Sequence, residues 1–269
     1  MVRNPYYKEC AQAQSAYRSS VPKAINTLDI PNAITYLDAK HGGWFGWSAS
    51  RTIYDPKDIA RELTSTWQAA GGSSLTQFRG VSVNVRSYNS WDMSPGETFT
   101  DENAICADLF NKARNEQRYI TILGQSFKAI NSTFPLHAIF DSSRTAVQGI
   151  RMYWHDWCNN LWAGFGPRPT AQMAQQIHSR DKNFDAFVWA TPVGLSDGSS
   201  DATLAGSRAN CSSEIAFKPM PARNVFSQEY FESLLRNKRW TTLGAKSNVP
   251  LEDGHGRKLI KRCDGKLVS

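Results

Sequence analysis

The chain has 269 residues, of which 41% are hydrophobic and 20% charged, so it is long enough to bury a core. This balance excludes a wholly disordered chain, and no apolar run approaches the roughly 18 residues of a membrane-spanning helix. The net charge of +7 is spread thinly, without a basic stripe or a known recognition motif, so we expect neither a nucleic-acid nor a membrane partner. The first residues also lack the apolar core of a signal peptide.

Helical and strand-like segments alternate along the chain. A helix is predicted over residues 9–28, with a break or kink at Pro22, and another begins at Asp55-Pro56, where Asp caps the helix and Pro takes its first position. That helix ends at Gly71-Gly72, and the last helix begins at Ser227. Amphipathic periodicity predicts two more helices, over 101–112 and 116–130. Apolar or alternating runs predict strands over 33–38, 79–85, 136–141 and 185–190.

This alternation predicts an α/β fold with parallel strands and right-handed crossovers, as either a sheet or a barrel. A parallel sheet is normally covered on both faces, and a barrel needs more than four strands to close. Either the sheet is open, or part of the fold lies outside these residues.

Polar residues follow each predicted strand, and in parallel α/β folds active sites lie at these carboxyl ends. Any one of these residues could simply favour a turn, but together they favour a shared site. The candidates are Asp38, His41, Asn84, Asn89, Asp141, Arg144 and Asp197.

The nine Trp residues are also informative. Trp44 and Trp47 lie in a Gly-rich loop after the first strand, and Trp157 lies in a second Trp pair with Trp154. Aromatic rings beside polar side chains suit a sugar, since a pyranose offers an apolar face for stacking and hydroxyls for hydrogen bonds. The alternative is a set of core aromatics, which fits Trp67 and Trp189 better.

The stretch YLDAKHGGWFGW at residues 36–47 resembles the YLDAGHAGWLGW signature of glycoside hydrolase family 6, the cellobiohydrolase II type of cellulase. The resemblance covers about residues 1–240, as the C-terminal two-thirds of the catalytic domain. Residues 241–269 match nothing in the family, and their basic composition predicts a disordered tail. Further matching stretches follow in the family's order at 10–17, 84–91, 141–144, 156–159, 164–169, 185–189, 196–198 and 230–237.

The resemblance implies a distorted seven-stranded β/α barrel, resembling a TIM barrel, of which about the last four strand–helix units are present. It implies hydrolysis of β-1,4-glucan with inversion, which requires one carboxylic acid and one carboxylate that activates water. Asp197 matches the proposed base, and Asp38 matches an aspartate that supports the charges of the site. Neither a cofactor nor a metal is implied. Substrate-binding positions are matched by His41, Trp44, Trp47, Asn84 and Trp157.

Cys158 and Cys211 match a family disulfide, which implies a secreted protein. We expect a monomer acting on cellulose or another β-1,4-glucan. The long stretch between Asp197 and Tyr230 matches the loop that roofs a tunnel in exo-acting members, so an exo-acting cellobiohydrolase is expected.

The departures from the family pattern concern the chemistry. No stretch resembles YDLPDRDC, the segment that carries the family's proton-donating aspartate. Ser87 replaces a substrate-binding Asn, Lys40 replaces a Gly, and Thr191 and Leu195 replace a Lys and a Glu that bind sugar near the cut. Loss of such positioning groups can lower a rate by orders of magnitude.

Three interpretations follow from these matches and departures. The first is a family 6 cellulase whose 269 residues, on their own, release no cellobiose. The second is a non-catalytic β-glucan-binding or degenerate homologue. The third is an incomplete product whose unpaired strand edges favour aggregation.

Overall fold

The structure is a computed structural model that describes residues 8–47, 55–92, 111–113, 115–151, 156–171, 183–204 and 209–238. Within these ranges the chain forms an α/β fold around a parallel sheet of four strands in the order β1-β2-β3-β4. The strands are β1 (Thr35–Asp38), β2 (Phe78–Val83), β3 (His137–Asp141) and β4 (Phe184–Val188). Each neighbouring pair is parallel, so all four carboxyl ends lie along one edge of the sheet.

The helices are α1 (Lys8–Thr27), α2 (Gly42–Phe45), α3 (Pro56–Ala70), α4 (Glu116–Ile130) and α5 (Gln228–Arg236). Short 3-10 turns cover Gly72–Ser74 and Ala209–Cys211. The Asp55 side chain accepts a hydrogen bond from the Lys57 amide, which confirms the predicted cap. Ser227 accepts one from the Tyr230 amide, and the predicted start of the last helix is confirmed. Among the described residues, no helix is long and apolar enough to cross a membrane.

Most of the predicted elements are present, with two differences. Helix α1 continues through Pro22 without the expected break. Pro22 is buried and α1 packs against α3, so this packing offsets the hydrogen bond that proline cannot donate. The helix predicted over 101–112 falls mostly outside the described residues, and Asn111 forms a bridge with Trp47 instead. The seven-stranded barrel implied by the resemblance is not shown, and the tail 241–269 lies outside the described residues.

Two apolar clusters fix this arrangement. The larger lies between the sheet and helices α1, α3 and α4, and it includes Trp67, Trp91 and Phe140. The smaller packs the loops that follow the strands against α5, around Tyr88, Phe165 and Tyr230. The second cluster therefore holds the loops that carry the polar residues at the carboxyl ends of the strands.

Candidate active site

Asp197 is the centre of the polar residues at this edge of the sheet. Its carboxylate is 5% exposed and lies in the loop between β4 and α5. Oδ2 accepts hydrogen bonds from the Tyr88 hydroxyl (2.6 Å), from Arg144 Nη1 (2.9 Å) and from the Asn159 amide (3.0 Å). Oδ1 accepts one from Arg86 Nε (3.0 Å). The loops after β2 and β3, together with residue 159, therefore all converge on one carboxylate.

Asp197 is held as an anion by its neighbours. Burial alone would raise the pKa of this carboxyl, but the Arg144 charge and the hydrogen bonds from Tyr88, Asn159 and Arg86 outweigh it, so the net pKa is lowered. Burial likewise opposes the charge of Arg144, yet the adjacent carboxylate raises the net pKa of that guanidinium. Arg144 is 1% exposed, and it also lies 4.2 Å from the centre of the Tyr88 ring. The pair is thus a buried, hydrogen-bonded ion pair.

Asp141, at the end of β3, holds the backbone around the site. Its Oδ1 accepts from the amides of Ser143 (3.0 Å) and Ala190 (3.3 Å), and its Oδ2 accepts from the Arg86 amide (3.2 Å) and the Thr191 hydroxyl (2.5 Å). A carboxylate offers about four lone-pair positions, and all of them are occupied here. Asp141 therefore ties the loop after β2 to the segment after β4.

Asn84 is fully buried, and its amide is occupied within the protein. Its Nδ2 donates to the Asp141 carbonyl (3.0 Å), and its Oδ1 accepts from the Asn89 amide (3.2 Å). The backbone at Asn84 has φ of 61°, a left-handed conformation that Asn tolerates better than most residues. These contacts give Asn84 a turn-forming role, while its predicted contact with sugar stays a prediction.

Asp38, at the end of β1, is the most exposed of these carboxylates, with 38% of its side chain accessible. Lys40 binds it through Nζ (2.7 Å to Oδ2) and through its backbone amide (2.8 Å to Oδ1). Lys40 has φ of 64°, the region that favours glycine, which is the residue of the family pattern here. The substitution thus places a cation on Asp38.

His41 caps α2 and contacts a buried amide–carboxylate pair. Asn89 Nδ2 lies 3.0 Å from His41 Nδ1, and it also donates to Oε1 of Glu116, a residue with no exposed surface. Because an amide nitrogen can only donate, Nδ1 of His41 accepts, and its proton is assigned to Nε2. Burial, followed by the charges of Arg151 and Lys40, lowers the pKa of His41 to about 3. A neutral ring can therefore donate from Nε2 to a ligand at ordinary pH.

This lowered pKa predicts a pH dependence of stability. The folded-state pKa lies below the unfolded value of about 6.5, so the unfolded chain takes up a proton first as pH falls, and stability is lost from about pH 6.5 downward. Urea unfolding between pH 7 and pH 4.5 should show this loss, and His41→Asn, which keeps an acceptor but does not titrate, should flatten it. An equal flattening in His137→Asn would contradict the assignment to His41.

The predicted tryptophans differ in exposure. Trp44 is 36% exposed and stacks against Phe45, with ring centres 5.8 Å apart and planes at 24°. Trp47 is half-buried and donates from Nε1 to the Gly43 carbonyl (3.0 Å), and Trp157 is half-buried beside Cys158. Trp67 is 2% exposed in the core, as its helix position indicated. Trp44 therefore presents the most accessible ring of the predicted sugar platforms.

The Cys158–Cys211 disulfide is present and lies against the Asp197 loop. Asn159, which follows Cys158, donates its amide to Asp197 Oδ2 and accepts the Asp197 amide at Oδ1 (2.7 Å). A Cβ on Gly198 would lie 2.8 Å from Cys211 Sγ, so only glycine fits beside the disulfide without displacement. The covalent link therefore positions the residues on both sides of Asp197.

Glu116 and Arg86 are among the residues of this site that were not singled out from the sequence. Glu116 has only its place in the first turn of α4 to mark it, which is a common position for an acid at a helix N-terminus. Arg86 lies within the matching stretch 84–91 at a position that varies in the family, so the resemblance gives no signal for it. A basic residue directly after a strand, in a chain that lacks the expected Lys at 191, is the observation that could have found it.

Known proteins of one family are similar to this chain over most of its length. The family model for glycosyl hydrolases family 6 matches residues 1–238. The chain belongs to this family. Similar proteins include 1,4-beta-D-glucan cellobiohydrolase CEL6C of Podospora anserina, 41% identical over 237 residues, which are 88% of this chain and 55% of that protein. Exoglucanase 3 of Agaricus bisporus is 34% identical over 88% of this chain and 49% of its own length.

Solved structures of the family are similar as well. Cellobiohydrolase II (Cel6A) of Humicola insolens, in complex with glucose and cellotetraose, matches with a TM-score of 0.75 and 34% identity over 88% of this chain and 60% of that one. The family 6 enzyme CcCel6C of Coprinopsis cinerea matches with a TM-score of 0.74 and 32% identity, over 89% and 60% of the two chains. The chain thus spans about half the length of the relatives and three-fifths of the solved chains that it matches.

Proposed function

We propose that this family 6 chain acts on cellulose or a similar β-1,4-glucan, forming the substrate cleft and carrying the base of an inverting, exo-acting cellobiohydrolase. The observation that carries the proposal is the buried, ionised Asp197 at the carboxyl ends of the parallel strands, in a chain 41% identical to a cellobiohydrolase. The exo preference rests on the long connection between Asp197 and Tyr230. The disulfide supports an extracellular location.

In this proposal Oδ1 of Asp197 is the oxygen that assists the attacking water. Among the described residues Oδ2 already accepts three hydrogen bonds, whereas Oδ1 accepts only that of Arg86. A carboxylate oxygen offers about two lone-pair positions, so Oδ1 has one left for a water molecule. The lowered pKa keeps this oxygen ionised, as a base requires.

The leaving oxygen needs a proton from a second carboxyl group. Asp141 is unsuited because donors occupy all of its acceptor positions, which leaves no direction in which a proton could point toward substrate. Asp38 is more accessible, but Lys40 binds both of its oxygens, through its backbone amide and its Nζ. We therefore expect neither of these two carboxyl groups to be an efficient proton donor.

Sugar binding is proposed to use Trp44 as the exposed stacking platform, with His41 donating from Nε2 to a hydroxyl beside it. The two rings lie 6.2 Å apart, so a single glucosyl unit can contact both. Trp47, Trp157 and Asn84 extend this proposal along the cleft. Domain limits of 1–240 for the catalytic part, with a basic tail after it, belong to the same proposal.

The proposed ligand can be tested by binding. Titration of the 269-residue chain with cellohexaose, followed by calorimetry, should give a measurable affinity. Trp44→Ala should weaken it by up to about tenfold, since stacking on an aromatic ring contributes about 0.5–1.5 kcal/mol. Phe226→Ala removes another exposed ring, 49% accessible, and should leave the affinity unchanged. Equal losses in the two variants, or no binding by the parent chain, would contradict the proposed ligand.

Hydrolysis is tested separately, with amorphous cellulose as substrate. We expect no cellobiose from the 269 residues, because neither Asp38 nor Asp141 is placed to protonate the leaving oxygen. Turnover that disappears in Asp197→Asn would show that a donor is present after all, and loss in Asp38→Asn would identify it. Binding without turnover in every preparation would favour the second candidate, a β-glucan-binding homologue. The fully occupied acceptors of Asp141 and the contact of Lys40 with Asp38 are also compatible with such a protein.

A further inference from the structure

The side chain of Arg86 connects two loops that surround the site. It lies in the loop after β2, and its backbone amide is fixed on Asp141 Oδ2 (3.2 Å). Its guanidinium donates from Nε to Asp197 Oδ1 (3.0 Å), from Nη2 to the Ser196 carbonyl (2.6 Å) and from Nη1 to Asn224 Oδ1 (2.5 Å). The guanidinium therefore links the β2 loop to the long connection between β4 and α5.

The backbone at Arg86 is held in a conformation that favours glycine. Its φ is 61°, and the Asp141 contact fixes it there. A residue other than glycine keeps this left-handed backbone conformation only where contacts with the surrounding structure hold it there. In this case the result is that a cation stands on Asp197 Oδ1, with 26% of the Arg86 side chain still accessible to solvent.

Position 191 lies next to Arg86 and lacks the charge of the family pattern. The Thr191 hydroxyl donates to the same Asp141 oxygen that accepts the Arg86 amide. The resemblance puts a Lys at 191, and this chain has a neutral residue there. One positive charge is thus absent at 191, whereas the guanidinium of Arg86 places one on Asp197 Oδ1.

We propose that Arg86 is a positioning residue that holds Oδ1 of Asp197 in place and supplies the site with the positive charge missing at position 191. This inference rests on the proposed function and names a residue that its base depends upon. Arg86 acts through Asp197, and it orients the carboxylate oxygen that has a free lone-pair position. Its contacts with Ser196 and Asn224 hold the loop that carries that oxygen.

The charge of Arg86 has a measurable consequence for stability at low pH. The groups that face Asp197 are Arg86 and Tyr88 from the β2 loop, Arg144 from the β3 loop, and Tyr230 of α5, whose hydroxyl lies 3.0 Å from that of Tyr88. Because the folded-state pKa of Asp197 is lowered, its contribution to stability is present above about pH 4 and is lost as pH falls through the folded value. Removing one of the two cations raises that folded value toward the unfolded one, so the acid loss still begins near pH 4 but is smaller and ends at a higher pH.

The experiment tests whether Arg86 affects stability through its charge or through the packing of its side chain. Free energies of unfolding in urea are measured from pH 7 to pH 2.5 for the parent chain, Arg86→Gln, Arg86→Lys, and Arg86→Gln with Thr191→Lys. Arg86→Gln should lower the stability at neutral pH and reduce the acid loss, which should end about half to one pH unit higher than in the parent chain. Arg86→Lys should stay near the parent, and Lys at 191 should return the double variant toward it.

Asn224→Gly is the matched control for the contact between Arg86 and the loop that carries Asp197. It removes the Nη1 acceptor but leaves the charge on Asp197, and glycine suits the φ of 68° at this position. Its free energy of unfolding should be lower at all pH values, and its acid loss should end at the same pH as in the parent chain. In an Asp197→Asn background, the pH shift of Arg86→Gln should disappear.

The proposal is overturned if Arg86→Gln and Arg86→Lys give the same profile, if Lys at 191 restores nothing, or if the shift persists without Asp197. Each of these results would make Arg86 a packing residue. No sugar enters these measurements, and the titration of His41 is common to all the variants and cancels. A chain that fails to bind cellohexaose would therefore contradict the proposed function and leave this comparison intact.

Discussion

Replacing Asp197 by alanine is expected to lower the free energy of unfolding by about 3–5 kcal/mol, because removal of one partner leaves the buried Arg144 guanidinium without its counter-ion. Tyr88 loses its acceptor at the same time, and burial already raises the pKa of this hydroxyl well above its ordinary value, so it cannot ionise to compensate. Urea unfolding at pH 7 measures the loss. The same change abolishes the proposed base.

A second substitution separates the charge from the cavity. Asp197→Ala combined with Arg144→Met removes both ions, and most of the lost stability should return, since an apolar pair of similar volume is often no less stable than a buried ion pair. Asp201→Ala, in the same connection but fully exposed, is the control and should change stability little. A double variant as unstable as Asp197→Ala would mean that shape at this site matters more than charge.

The fold was predictable where local chemistry and packing agree. The strands are short apolar runs that end in polar residues, and the caps at Asp55 and Ser227 act through contacts within three residues. The four-residue helix α2 was not predictable, since a Gly-rich loop has no local reason to turn there. Its Gly42 amide donates to Glu116 Oε1 (2.9 Å), and its Gly42 carbonyl accepts from Asn111 Nδ2 (2.9 Å), which are contacts made over about 70 residues of sequence.

Some features of the candidate site could also be predicted from the sequence, and others could not. Asp38, Asp141 and Asp197 could be placed at one edge from strand order alone, because parallel strands end together. The sequence does not show which of these carboxylates has oxygens left for a ligand. That depends on donors placed by the folded chain, such as the Thr191 hydroxyl on Asp141 and Lys40 on Asp38. The burial of Asn84 is a further example, because its partners lie at 89 and 141.

Breaking the Cys158–Cys211 bond is expected to cost about 4 kcal/mol, the loop-closure entropy that a crosslink of this length removes from the unfolded chain, with a sequence separation of 53. Urea unfolding of Cys158→Ala with Cys211→Ala, compared with the parent chain in oxidising and reducing buffer, measures this. The double variant should match the reduced parent and should not respond to reductant.

The disulfide also predicts where the structure loosens. Asn159 and Gly198 adjoin the two sulfurs and flank Asp197, so amide hydrogen exchange should rise first around residues 196–198 and 158–160 when the bond is broken. The sheet, which forms a separate apolar cluster with α1, α3 and α4, should keep its protection under the same conditions. Uniform loss across both regions would instead mean that the bond stabilises the chain as one unit and has no particular role in placing Asp197. Selective loss would show that the covalent link keeps the carboxylate in register with Arg86 and Arg144, which no local feature of its own loop can do.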